Sequence, residues 1–132
     1  SLLDCNKDGR VKITGQHEDI IVIKANGESE FIDTMELGLP VGLIDDISDV
    51  VKHIEIVLSE GDILLLHTDG ITEAENDKHE LFGIERLCLL TSQLRDLSAS
   101  EIKDSIIKEL NTYMGLIIPD DDITMVVIKK NL

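Results

Sequence analysis

Hydrophobic positions along this chain change period after residue 82, dividing it into a strand-rich part and a helical part. A polar turn, Asn6-Lys7-Asp8-Gly9, leads into a strand-like run over 10–14. Over 19–24 the residues Ile20, Ile21, Val22 and Ile23 stand together, and Ala25-Asn26-Gly27 separates them from a second run over 28–33. Asn-Gly supplies the positive φ angles that tight turns need, so the pair predicts a β-hairpin. Gly38, Pro40 and Gly42 predict an irregular crossing over 37–43, followed by a polar stretch over 45–49. Over 51–58, Val51, His53, Glu55 and Val57 alternate with Lys52, Ile54, Ile56 and Leu58, as in a strand with one buried face. After a turn at 59–62, the nearly unbroken apolar run of 63–68 predicts a strand buried on both faces, ending at Asp69-Gly70.

Beyond Gly83 the spacing is helical. Ile84, Leu87, Cys88 and Leu94 fall on one stripe, interrupted by Thr91. Ser98 and Glu101 have the spacing of a capping box; Ile102, Ile106, Leu110 and Met114 follow at intervals of four before Gly115 ends the run. A final β-rich segment, 123–129, follows Asp120-Asp121-Asp122. Strands, then two helices, then one returning strand predict an α+β domain with a largely antiparallel sheet and two helices packed on one face. Its other face is expected to be polar, or to be covered by chain from outside this sequence or by a second subunit, the last making a homodimer. No repeat, low-complexity tract or linker divides residues 1–132, which read as a single domain.

Composition narrows the possibilities. The 132 residues carry 27 Asp and Glu against 12 Lys and Arg, a net charge of -15. A field of that sign repels phosphate, which argues against nucleic acid or anionic lipid as a partner. With three aromatic residues, Phe31, Phe82 and Tyr113, the core must be aliphatic. No wholly aliphatic stretch exceeds the length of 63–66, far too short to span a bilayer, and no charged n-region opens the chain, so a cytoplasmic protein is expected. Cys5 and Cys88 lack the spacing of a zinc site and read as free thiols, with a disulfide between them left open.

Three acidic groupings invite a metal. Asp4, Asn6, Asp8 and Gly9 match the opening of a calcium loop, but its twelfth place is Gly15 instead of a bidentate glutamate, and a polar turn is the competing reading. Asp69-Gly70 stands at the end of a buried strand, where a carboxylate is held rigidly and glycine lets backbone approach closely. Asp120-Asp121-Asp122 is either a solvated strand end or a set of repelling carboxylates that a divalent cation would relieve. Oxygen donors without His or Cys suit Mg²⁺ or Mn²⁺.

Taken in order, Gly15-Gln-His-Glu18, Leu37-Gly-Leu-Pro-Val-Gly-Leu43, the block from Glu60-Gly-Asp through His-Thr-Asp-Gly-Ile-Thr-Glu-Ala-Glu-Asn76, Phe82-Gly-Ile-Glu-Arg-Leu87 and Asp121-Asp-Ile-Thr124 resemble the PPM family of metal-dependent protein serine/threonine phosphatases. The resemblance is to the bacterial class typified by the stage II sporulation protein E phosphatase. It implies an α-β-β-α sandwich and two Mn²⁺ or Mg²⁺ ions, with Asp69 and Asp121 as metal ligands, Asp122 beside them, and Gly70 as a conformational requirement. His17 and Glu18 match a recurrent motif without an assignable role, and a loop or core histidine is the competing reading for His17. Asn76, Glu73 and Glu75 are expected near the mouth of the site or as solvated acids at a helix start. The family's metal-bridging Asp-Gly motif has no counterpart here, so the chain reads as the C-terminal portion of a phosphatase domain. Asp69, Asp121 and Asp122 alone undercompensate two divalent ions.

The function implied is hydrolysis of phosphoserine or phosphothreonine on a regulatory protein of the anti-sigma-factor-antagonist type, in bacterial partner switching, under an upstream sensor or receiver domain. Two alternatives stay open: a catalytically incomplete fragment acting as a binding or assembly module, and a calcium-binding module through residues 4–9.

Overall fold

The structure, a computed structural model, describes residues 1–38, 51–119 and 121–131. The polar stretch 45–49, most of the irregular crossing and Asp120 lie outside the described residues. Among the described residues seven strands, a 3₁₀ turn and three helices follow one another: β1 (Leu2–Cys5), β2 (Arg10–Thr14), β3 (Ile20–Ile23), β4 (Ser29–Ile32), the turn Met35–Leu37, β5 (His53–Val57), β6 (Ile63–His67), α1 (Asp69–Thr72), α2 (Ile84–Gln93), α3 (Ala99–Met114) and β7 (Met125–Lys129). The strands form two antiparallel sheets, one ordered β1-β2-β5 and the other β4-β3-β6-β7.

The aliphatic runs in β3 and β6 explain the layering. All four residues of β3 and all five of β6 are buried. Ile21, Ile23, Ile63 and Leu65 face α2 and α3, meeting Leu87, Ile102, Ile106 and Leu110. Ile20, Val22, Leu64 and Leu66 face the other sheet, meeting Val11 and Ile13 of β2 with Ile54 and Ile56 of β5. A strand without polar alternation has to be covered twice, and here helices cover one face and a second sheet the other. The cover expected for the open sheet face is thus supplied by this chain itself. What remains open is the outer face of the three-stranded sheet, where Asp4, Lys12 and Glu55 stand in register as a column of alternating charge.

Local signals account for most boundaries. Ala25-Asn26-Gly27 closes the β3–β4 hairpin with Gly27 at φ 92°, a three-residue loop whose last position needs the left-handed region. Ser98 caps α3 through the expected box, its hydroxyl accepting from Glu101 N and the Glu101 carboxylate accepting from Ser98 N at 2.9 Å. Thr91, which breaks the apolar stripe of α2 in sequence, belongs to the buried face because its hydroxyl donates to Leu87 O at 2.7 Å.

Two elements depart from expectation. Residues 2–5 form β1, paired with β2 across the turn at 6–9, although their own pattern has no period. The calcium-loop reading at Asp4, Asn6, Asp8 and Gly9 gives way to this hairpin: Asp4 is a strand residue opposite Lys12, and Asp8 is engaged by Arg10 at 2.8 Å. The second departure is the single helical turn α1, formed where Asp69-Gly70 was expected to end the strand. Cys5 and Cys88 are free thiols, one exposed and one buried. No helix among the described residues is long and apolar enough to cross a membrane.

Candidate functional site

The two acidic motifs meet at the ends of neighbouring strands. β6 and β7 pair antiparallel with His67 opposite Met125, so Thr68-Asp69-Gly70 leaves the sheet where Asp121 to Thr124 enters it. Thr68 fastens the two segments. Its N–H donates to Thr124 O at 3.1 Å, its hydroxyl donates to Asp122 O at 3.0 Å, and Thr124 N donates to that hydroxyl at 3.1 Å.

Gly70 sets how closely they approach. A Cβ on Gly70 would lie 2.5 Å from Asp122 O and 3.3 Å from Asp121 O, so only glycine leaves room for this main chain. Asp69 is half-buried at the first position of α1, and its Oδ1 accepts from Gly70 N at 3.0 Å. A carboxylate there also meets the electropositive ends of free helix N–H groups, although a four-residue turn provides little of that field. Asp121 turns its Oδ1 to the N–H of Asp122 at 2.7 Å. Beside the junction lies a cleft of about 330 Å³ whose lining includes Gly70, Glu73, Glu75, Leu81, Ile118 and Asp121.

These features fit a divalent cation. The donors are hard oxygens, and the space that a Cβ would fill at Gly70 brings main-chain carbonyls of Asp121 and Asp122 beside the Asp69 turn. Among the described residues no three Asp, Glu, His or Cys side chains converge on one point that could hold an ion.

The remaining sequence candidates are placed differently. Asn76 organises a loop: its Oδ1 accepts from Lys78 N and Glu80 N at 2.9 and 3.0 Å, and its Nδ2 donates to the Glu80 carboxylate at 2.8 Å. Glu73 and Glu75 line the cleft, with Glu75 also 2.7 Å from His79. Glu18 is exposed. His17 is fixed by its backbone, which exchanges hydrogen bonds with the hydroxyl of the buried Thr34. Burial, more than any neighbouring charge, holds His17 below the ordinary histidine value. Both Nε2 atoms, of His17 and His67, are buried without a hydrogen-bond partner among the described residues.

Sequence reasoning missed Thr68 as the fastening between the motifs, although it stands inside the Thr-Asp-Gly block. It also missed Asp62, buried at 3% exposure and accepting from Ala25 N, Ser59 N and Lys24 Nζ at 2.9, 3.0 and 3.4 Å. An acid just before a mostly apolar, fully buried strand is the signal that could have found it.

Known proteins match this chain over nearly its full length. Protein IcfG of Synechocystis sp. is 27% identical over 130 residues, which are 98% of this chain and 20% of that protein. Among solved structures, the SiaA-PP2C domain of Pseudomonas aeruginosa superposes with a TM-score of 0.70 at 21% identity, over 92% of this chain and 47% of that one. The phosphatase domain of the cell fate determinant SpoIIE from Bacillus subtilis, presoaked with Mn, superposes with a TM-score of 0.63 at 19% identity, over 98% of this chain and 55% of that one. These superpositions establish a shared fold, and the chain spans about a fifth of the curated relative and about half of each solved one. The family model for stage II sporulation protein E matches residues 3–131, so nearly every residue that builds the two sheets, the helices and the Asp69–Asp122 junction falls within it. The chain belongs to the stage II sporulation protein E (SpoIIE) family.

Proposed function

We propose that the protein containing this chain is a metal-dependent phosphatase that removes phosphate from serine or threonine on a regulatory protein of the anti-sigma-factor-antagonist type, in the cytoplasm. The observation that carries this reading is the approach of Asp121-Asp122 to Gly70, which sets two acidic motifs, far apart in sequence, at one sheet edge. Family membership supports it, as does the likeness to the SiaA-PP2C domain and the Mn-presoaked SpoIIE phosphatase domain.

Asp69 and Asp121 are the proposed ligands for Mn²⁺ or Mg²⁺, with Asp122 adjacent. Bound ions would supply the charge that neutralises a phosphoryl group and acidifies an attacking water. The chain's own part is to hold the carboxylates: α1 fixes Asp69 to its own backbone through Gly70 N, and Thr68 anchors the opposing segment. The cleft between Glu73, Leu81 and Ile118 offers a place for the polypeptide flanking the phosphorylated residue. Two divalent ions carry more positive charge than Asp69, Asp121 and Asp122 balance, so the reading calls for further carboxylates at the site.

The test is hydrolysis of a phosphorylated anti-sigma-factor antagonist by the full protein with Mn²⁺. Asp69→Ala or Asp121→Ala should abolish it, and unchanged turnover in both overturns the reading. The absence of three converging ligands among the described residues favours a second reading for these 132 residues alone, as a binding or assembly module. Brisk p-nitrophenyl phosphate turnover by this chain alone would contradict that second reading.

A further inference from the structure

We propose that Thr68 is a positioning residue of the metal centre, its hydroxyl holding the Asp121-Asp122 main chain against the Asp69-Gly70 turn. The inference rests on the metal-centre reading above and deepens it. Strand pairing between β6 and β7 ends at His67 and Met125, and one further main-chain bond, from Thr68 N to Thr124 O, continues it before the acidic segment diverges. Past that pairing, among the described residues, Thr68 supplies the hydrogen bonds between the two segments: one through its backbone N–H and two through its hydroxyl.

The hydroxyl has a specific task. Asp69, Asp121 and Asp122 are like-charged carboxylates, and their repulsion opposes the approach of the two segments that the Thr68 bonds maintain. The Asp122 carbonyl meanwhile stands at the closest approach allowed by Gly70. A hydroxyl can donate to that carbonyl while accepting from Thr124 N, which satisfies both groups at once. The backbone bond from Thr68 N to Thr124 O remains in any side-chain variant, so removing the hydroxyl loosens the segment without releasing it.

Thr68→Val keeps the branched shape and removes both hydroxyl bonds, whereas Thr68→Ser keeps the oxygen and removes a methyl. The full protein is titrated with Mn²⁺ by calorimetry, and phosphatase activity is followed against Mn²⁺ concentration. Removing a group that orients metal ligands characteristically weakens affinity by 10-fold or more. The expected result is an approximately tenfold rise in the Mn²⁺ dissociation constant for Thr68→Val, with kcat at saturating metal within about threefold of wild type and Thr68→Ser close to wild type. A purely structural role would lower the melting temperature while leaving the metal titration in place. A Thr68→Val dissociation constant within about threefold of wild type, or an equal shift in Thr68→Ser, overturns the proposal. Thr68→Ala repeats the test if the valine variant does not fold. Asp69→Ala separates the two levels: retained Mn²⁺ binding there overturns the metal centre itself, whereas binding lost there but unmoved in Thr68→Val overturns only the role of Thr68.

Discussion

Gly70→Ala isolates the contact on which the site depends. The φ of Gly70 lies outside the left-handed region, and in a helix alanine is intrinsically favoured over glycine by about 1 kcal/mol, so local preference predicts a mild gain. Tertiary contact predicts the reverse. The new methyl would sit 2.5 Å from Asp122 O and 3.1 Å from Asp122 C, well inside van der Waals contact and against main chain that has no rotamer to change. Overpacking of that kind costs about 1–3 kcal/mol. Displacing Asp122 also strains the bond from the Thr68 hydroxyl, worth about 1 kcal/mol. After the helix gain is set against these costs, the net loss is about 2 kcal/mol, or a melting temperature lower by roughly 8 °C at this chain length. Thermal unfolding followed by circular dichroism measures it, with Gly38→Ala as the control. Gly38 is extended, and the nearest atom to its Cβ position is 3.5 Å away, so that variant should stay within about 0.5 kcal/mol of wild type. A Gly70→Ala protein melting with wild type, and binding Mn²⁺ as wild type does, would refute the claim that close approach of Asp122 requires glycine.

Two other substitutions probe the frame around the site. Burial acts to raise the Asp62 carboxyl, but hydrogen bonds from Ser59 N and Ala25 N, with Lys24, outweigh it and hold the group below its ordinary value. That stabilisation is present above the unfolded carboxylate range and lost as pH falls through the folded value. Asp62→Ala should therefore cost about 3 kcal/mol in urea unfolding at neutral pH, with a smaller difference from wild type in acid; an equal difference at both pH values would refute the linkage. Ser98→Ala removes the cap of α3 and should cost about 1 kcal/mol by the same assay, with Ser98→Asp recovering most of it.

Legibility in the sequence followed how local each signal was. The capping box at Ser98, the Asn-Gly hairpin and the two-sided burial of β6 each depend on residues within a few positions of one another, and all appear where the pattern places them. β1 was not legible because Leu2 to Cys5 have no period of their own and become a strand by pairing with β2. The calcium-like spacing at Asp4 to Gly9 resolves as the polar turn that the sequence also offered, because a spacing of oxygen donors is compatible with a hairpin whose Asp8 is spent on Arg10. Thr91 looked like a break in a stripe until its hydroxyl found the Leu87 carbonyl one turn back.

The sequence by itself determined the aliphatic core, the strand and helix periods, the acidic surface and the residue types at the candidate site. Tertiary structure decided that β3 and β6 lie between helices and a second sheet, and that Thr-Asp-Gly at 68–70 meets Asp121-Asp122 at one edge. The reason is range. A period or cap is written in neighbouring residues, whereas the approach of Gly70 to Asp122 depends on the register of two strands some sixty residues apart, and therefore on how the whole sheet packs.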